Sequence, residues 1–355
     1  MVGRGGVTGT LHNGEIAELL LQAAAEQEGH RKLALERASK EAWRWPEEAA
    51  VVAASGRPIT GLRSVGPWVA EQIDGWLDAP PPVPEPDPIH RNFLTYAQVT
   101  TAIATDPTWL SAPHADLQVH TTDSDGHLEL PDMVEAARAT GLAYMSITDH
   151  SESLSIAHGQ DAIRLKDQGV RIDALNEDLA PTGFRVLRSI EMDVFDNGEG
   201  DMDPAVLAEL DLVLGAFHSK LRSKDDATER YLAALRNPDV HVLAHPTTRM
   251  FGRRAGLVAD WPRVFAEAAR LGKAVELDAT PRRQDLPVDL ARIAVAEGVR
   301  WFSMGSDAHY AEELDNLPFA MATAILAGVP RDRIIAYRSA DEVVAWAAEL
   351  GEVAR

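Results

Sequence analysis

The sequence has no cysteine, no long apolar run and little positive charge, and each absence removes a class of explanation. Without cysteine there are no disulfides and no thiolate ligands, so a metal site must be built from His, Asp and Glu. No stretch approaches the roughly 18 apolar residues that a transmembrane helix needs. The opening MVGRGGVTGTLHNGE carries no hydrophobic signal core, which leads to the expectation of a cytoplasmic protein with no membrane partner. Against 55 acidic residues stand 34 Lys and Arg, a formal net charge of −21. That balance argues against nonspecific nucleic-acid binding through a broad basic face. Bound divalent cations would nevertheless cancel much of the acid locally.

What is present is a soluble, globular composition, 45% hydrophobic and 25% charged over 355 residues, enough for one large domain and a small one. The division falls at DAPPPVPEPDPIH (78–90), where prolines at 80, 81, 82, 84, 86 and 88 exclude helix and central strand. Upstream, residues 10–78 read as a small helical domain. Ile16, Leu19, Leu20 and Ala23 make one apolar stripe, and Leu33, Ala34, Ala38 and Ala42 another. Residues 79–111 read as a proline-rich linker and connecting helix. From 112 to 352 the pattern alternates. LAYMSIT (142–148), FRVLRSIEM (184–192), LDLVLGAF (210–217), VHVLAH (240–245), KAVELDA (273–279) and VRWFSMGSD (299–307) look like buried strands. Amphipathic helices such as LPDMVEAARATG and WPRVFAEAARLG lie between them, several ending at a glycine (Gly141, Gly272, Gly298). This is an α/β chain with a parallel sheet, either a closed barrel or doubly wound.

The strands share a feature that packing does not explain. Their apolar runs end in His120, in Asp149 and His150, in Glu191 and Asp193, in His218, in His245, and in Asp307 and His309. After the first comes the turn TTDSDG, which presents Asp125 beside Gly126. A lone histidine at a strand end is usually a hydrogen-bonded rim residue. Several polar strand ends crowded at one barrel mouth would cost a few kcal/mol each unless paired, and a cation resolves that conflict.

Six motifs, DLQVHTTDSDG, SITDHSES, SIEMD, AFHS, LAHP and GSDAH, resemble in order and spacing those of the polymerase and histidinol phosphatase (PHP) domain family. The resemblance implies a distorted (β/α)7 barrel of the PHP type, preceded by a small all-α domain, and two or three divalent ions (manganese, zinc or iron) at a trinuclear site. Carried over, His120, Glu191 and Asp307 hold one ion. Glu191 bridges to a second held by His218 and His245, and Asp125, His150 and His309 hold the third. Gln118 stands where many members have a histidine and is at most a weak contact; bacterial family X DNA polymerases often carry glutamine there. Glu191, Asp307 and His309 are the expected catalytic groups. Arg249, Arg253 and Arg254 in HPTTRMFGRR, and Arg282 beside Arg283 in ATPRRQDL, are the expected phosphate-binding residues.

The segment GLRSVGPWVAEQI (61–73) is similar, more weakly, to the helix-hairpin-helix of family X polymerases. Gln72 replaces the Schiff-base lysine, which implies no lyase activity. The proline segment leaves no room for palm and fingers between the two domains, which implies no DNA synthesis. The resulting expectation is a metal-dependent phosphoesterase acting on DNA as a 3′–5′ exonuclease or end-processing enzyme. The alternative is a phosphomonoesterase acting on a small metabolite such as histidinol phosphate or a nucleotide, which the acidic charge favours. Of the remaining histidines, His127 and His158 stand where they could reach a substrate, His114 carries no distinctive signal and His241 reads as structural.

Overall fold

The computed structural model describes residues 10–354, with side chains to 351, and separates them into two compact units, Met1–Thr105 and Asp106–Arg355. In the first, helices α1 (Asn13–Ala25), α2 (Gly29–Ala42), α3 (Ala49–Ala54), α4 (Pro67–Asp78) and α5 (Tyr96–Thr105) follow one another. Most of both sequence stripes enters its core, where Ile16, Leu20, Leu35, Ala38, Trp45 and Ile73 are almost fully buried; Leu33, expected in the second stripe, is instead 50% exposed and Leu35 takes the inward position. Trp45 donates its indole N–H to the Arg63 carbonyl at 3.0 Å, which ties the turn before α4 to that core. The proline-rich stretch forms neither helix nor strand. It lies along the helical unit rather than spanning free space: Val83 packs on the core, and His90 Nδ1 is 3.0 Å from Glu18 Oε1.

The second unit is a distorted (β/α)7 barrel. Its strands are β1 (Ala115–Val119), β2 (Tyr144–Ile147), β3 (Arg185–Asp193), β4 (Leu212–Ala216), β5 (Val242–Leu243), β6 (Ala274–Asp278) and β7 (Trp301–Gly305). They pair in that order, all parallel. Past the end of β7, the amides of Asp307 and His120 bond across to Gln118 and Ala308, so β7 returns to β1 and nearly closes the ring. Helices Leu130–Ala139, Ala162–Leu179, Thr228–Arg236, Trp261–Leu271, Val288–Ala296 and Pro318–Ala327 cover the outside. Parallel strands need such crossovers, and burial on both faces gives their apolar runs.

The strands also alternate. One face of β1 carries Leu117 and Val119; the other carries Asp116 and Gln118 and leads to His120, all fully buried. Ser189 and Glu191 repeat this on β3, Glu276 and Asp278 on β6, and Ser303 on β7. A period of two places these polar side chains on a common face of each strand. At Gly305 a Cβ would fall 2.5 Å from Gln118 Cβ and 3.1 Å from Glu276 Oε1, so β1, β6 and β7 crowd their polar faces together there. No helix among the described residues is long and apolar enough to cross a membrane.

Candidate functional site

All the strand-end groups converge at the carboxyl end of the barrel, where loops can hold reactive groups on a rigid frame. Glu191, near the end of β3, lies at the centre. His245 Nε2 is 2.6 Å from its Oε1 and His218 Nε2 is 3.1 Å from the same atom. His150 Nδ1 and His120 Nε2 lie 3.3 and 3.4 Å from Oε2. His120 Nε2 also stands 3.1 Å from Asp307 Oδ1. On the outer side Asp125 Oδ1 is 3.2 Å from His309 Nε2 and 3.5 Å from His150 Nε2.

Three sets of donor atoms lie within 4.8 Å of one another: His120, Asp125, His150 and His309; His150, Glu191 and His218; and His120, Glu191 and Asp307. The eight histidines and carboxylates expected from the resemblance to hold metal thus come together. His245 falls outside those three sets but touches Glu191.

The electrostatics show what the cluster lacks. Burial works against the charge on Glu191, yet His150, His245 and His218 hold its carboxyl well below the usual range. Burial likewise opposes protonation of His218, but Glu191 and Asp193 push it up to about 9. Burial dominates at His150, which falls to about 3. Adjacent imidazoles therefore share out protons to neutralise the carboxylates. Both ring nitrogens of His120 and of His218, Nδ1 of His150 and His245, Glu191 Oε2 and Asp125 Oδ1 have no hydrogen-bond partner within the protein. Buried polar atoms are rarely left so. Imidazole and carboxylate donors without partners suit divalent cations, and the residues present fit them.

Local structure explains how the candidate donor groups are held. Asp149 accepts from Thr121 N at 2.7 Å, Thr121 Oγ1 at 2.6 Å, Ser124 Oγ at 2.5 Å and Gln168 Nε2 at 2.6 Å. It clamps the turn that presents Asp125 and is not itself in the donor sets. The turn needs a glycine at Gly126, because a Cβ there would sit 2.6 Å from the His120 carbonyl and the Thr121 nitrogen. Gly126→Ala is expected to cost at least about 2 kcal/mol through backbone displacement. A melting temperature within 1 °C of the parent would contradict that. His245 and Asp307 have positive φ, 25° and 54°, a conformation that costs non-glycine residues about 1–3 kcal/mol and collects at functional sites.

The arginines divide differently from the sequence expectation. Arg249 is buried, 4% exposed, and burial pushes it down to about 10 against the pull of Asp285 and Asp289. Thr247 donates its amide and hydroxyl to Asp285, which pins the loop two residues before Arg249. Arg253 and Arg282 are exposed, and Arg254 is half-buried with Nε donating to the Thr248 carbonyl at 2.5 Å.

The guanidinium that reaches the cluster is Arg283, whose Nε is 3.2 Å from Asp307 Oδ2 and 3.7 Å from Asp278 Oδ2. Glu276 was also missed: its Oε2 accepts the His245 amide at 2.6 Å. Both β6 acids are pushed well above the carboxylate range by burial and neighbouring acids. The signal was the alternation in VELD, the same as in DLQVH. Arg283→Met is expected to lower kcat/KM about 10–100-fold, the usual effect of losing a group that orients a ligand. Steady-state kinetics with saturating cation would show it, and an unchanged kcat/KM would refute that role. Gln118 is buried with neither amide atom bonded within the protein.

No protein-family model matches the chain. Over 232 residues, 65% of this chain, it is 38% identical to the DNA polymerase/3′-5′ exonuclease PolX of Bacillus subtilis, of which it spans only 40%. It is 28% identical over 231 residues to a "Probable phosphatase" of Tolumonas auensis, spanning 88% of that protein. It is 29% identical over 234 residues to one of Serratia proteamaculans, again spanning 88%. Among solved structures, the histidinol phosphate phosphatase of Lactococcus lactis, complexed with zinc, L-histidinol and phosphate, aligns with 68% of this chain and 93% of its own. At 15% identity and a TM-score of 0.39, that likeness is too slight to argue from. The chain is similar to PolX over part of that protein's length, and to the phosphatases over most of theirs.

Proposed function

We propose that the barrel is a divalent-cation-dependent phosphoesterase that cleaves phosphodiester bonds of DNA, as a 3′–5′ exonuclease or in end processing. The observation that carries this reading is Glu191 ringed by four imidazoles whose buried nitrogens largely lack partners. Two or three divalent ions, when bound, activate a water and neutralise phosphate oxygens at neutral pH. His120, Glu191 and Asp307 would hold one, Glu191, His218 and His245 a second, and Asp125, His150 and His309 a third.

The chain's own groups supply the rest. Glu191 keeps the histidines at fixed separation. Arg283 holds Asp307 in one orientation through a charged contact. His309, less buried than the other imidazoles, is placed to carry a proton between the site and solvent. Arg253, Arg254 and Arg282 stand on neighbouring loops, joined where the Phe251 amide donates to the Arg282 carbonyl at 2.7 Å, and suit a polyanionic substrate. In the helical unit, Gly66 caps α4 much as a helix-hairpin-helix presents amides to a phosphate.

A second reading is a phosphomonoesterase acting on a small metabolite. It is favoured by the chain's spanning 88% of the phosphatase relatives against 40% of the exonuclease. Turnover of a labelled oligonucleotide, p-nitrophenyl phosphate and histidinol phosphate with manganese separates the two. Loss of label from the oligonucleotide, abolished by chelation, supports the first; turnover of monoesters alone overturns it.

A further inference from the structure

His245 is the donor whose ring has the least to orient it. Its Nε2 stands 2.6 Å from Glu191 Oε1, and its Nδ1 has no hydrogen-bond partner within the protein. A histidine that holds a cation usually has its other nitrogen fixed by a carboxylate or a carbonyl. His309 follows that pattern, with Nδ1 2.8 Å from the Asp307 carbonyl oxygen, and His245 does not. The direction of the His245 ring is therefore set from its backbone, and that backbone is unusual. Its φ of 25° lies where non-glycine residues stay only when their surroundings hold them.

The residues on either side are anchored one by one. Ala244 donates its amide to the Gly215 carbonyl at 3.0 Å, the Tyr231 hydroxyl donates to the Pro246 carbonyl, and Thr247 is bonded to Asp285. The amide of His245 itself goes to a side chain, Glu276 Oε2, at 2.6 Å. Glu276 is fully buried and lies within β6, which is paired with β5 on one side and β7 on the other. Its carboxylate has room because residue 305 is glycine: a Cβ there would fall 3.1 Å from Glu276 Oε1. His245 is only 1% exposed, so water does not replace this acceptor.

We infer that Glu276 is a positioning residue for the second ion. By accepting the His245 amide it holds the left-handed backbone that turns the imidazole onto Glu191, and so completes the set Glu191, His218 and His245. It acts through His245 and from a strand paired on both sides, which fixes the acceptor more firmly than a loop residue would. Without the acceptor, the His245 backbone relaxes toward ordinary dihedral angles and carries the ring off Glu191. The inference rests on the cation-dependent reading above.

The test measures manganese binding to the full chain by equilibrium dialysis. Glu276→Met removes the acceptor at similar size, whereas Glu276→Gln keeps an acceptor oxygen. In the Met variant one class of manganese site is expected to weaken about 10- to 100-fold, with the rest within threefold of the parent. In the Gln variant every site should stay within threefold. The ring nitrogen NMR signals of His245, assigned by their loss in His245→Ala, should move in the cation-free Met variant and hold in the Gln variant. Equal weakening in both variants, or a Met variant that binds as the parent does, would overturn the positioning role and leave the cation reading intact. If the Met variant does not fold, Glu276→Asp replaces it. Its shortened carboxylate falls short of the amide, so one site should again weaken about tenfold or more, and parental binding would overturn the role. A parent protein that binds no manganese overturns both.

Discussion

Replacing Glu191 by Gln is expected to lower kcat about a thousandfold or more and to remove bound cation from the purified protein. Among the described residues Glu191 is the one carboxylate within 3.4 Å of four imidazoles, so the substitution affects every donor set containing it. Cation catalysis of phosphoester hydrolysis rests on several kcal/mol of charge stabilisation, and about 4 kcal/mol corresponds to three powers of ten in rate. The amide keeps the size and leaves the packing intact, so the loss should come without gross unfolding. Metal analysis of parent and variant beside the kinetics checks both parts. A variant that keeps its full metal content and rate would show that the cluster is a structural charge network.

The second large effect is thermal. At a free cation concentration of about 100 times Kd, linkage adds about 2.7 kcal/mol to the stability of the folded state. At about 2–4 °C per kcal/mol for a domain of this size, the melting temperature should rise by about 5–11 °C on adding manganese and fall back with chelator.

The gain should grow with pH between 6.5 and 9, for a reason that fixes its sign. Without cation, His218 titrates near 9, above the 6.5 of an unfolded histidine. Its proton therefore contributes stability that is complete below 6.5 and is lost as pH rises through 9. The cation needs the neutral ring, so binding releases that proton and tightens by about tenfold per pH unit over the same window. Calorimetry in two buffers of different ionisation enthalpy measures the released protons directly. No proton release at pH 7.5, or a thermal gain that shrinks with rising pH, would contradict this account.

The uneven legibility of the site has a physical origin. His120, His150, His218, His245 and Asp307 announce themselves because each ends an apolar run, and a polar residue ending a buried strand needs a partner. Glu276 and Asp278 escaped because they sit inside a run that reads as hydrophobic, where only the two-residue alternation reveals them. Arg283 could not be told from Arg282 by type or neighbourhood. Loop geometry alone turns one toward Asp307 and leaves the other exposed. Arg249 was hard to place for the converse reason. An arginine beside a candidate ligand strand suggests phosphate, but only the fold buries this one, within the fields of Asp285 and of Asp289 from the helix Val288–Ala296.

The order of strands and helices, the absence of thiolate chemistry and the choice of candidate donor residues follow from the sequence itself, since periodicity and residue type are local properties. Which donors share Glu191, which guanidinium faces Asp307, and that Glu276 meets the His245 amide were decided only by the closed barrel. Those relations join residues far apart along the chain, and the distances between them exist only once β7 has returned to β1.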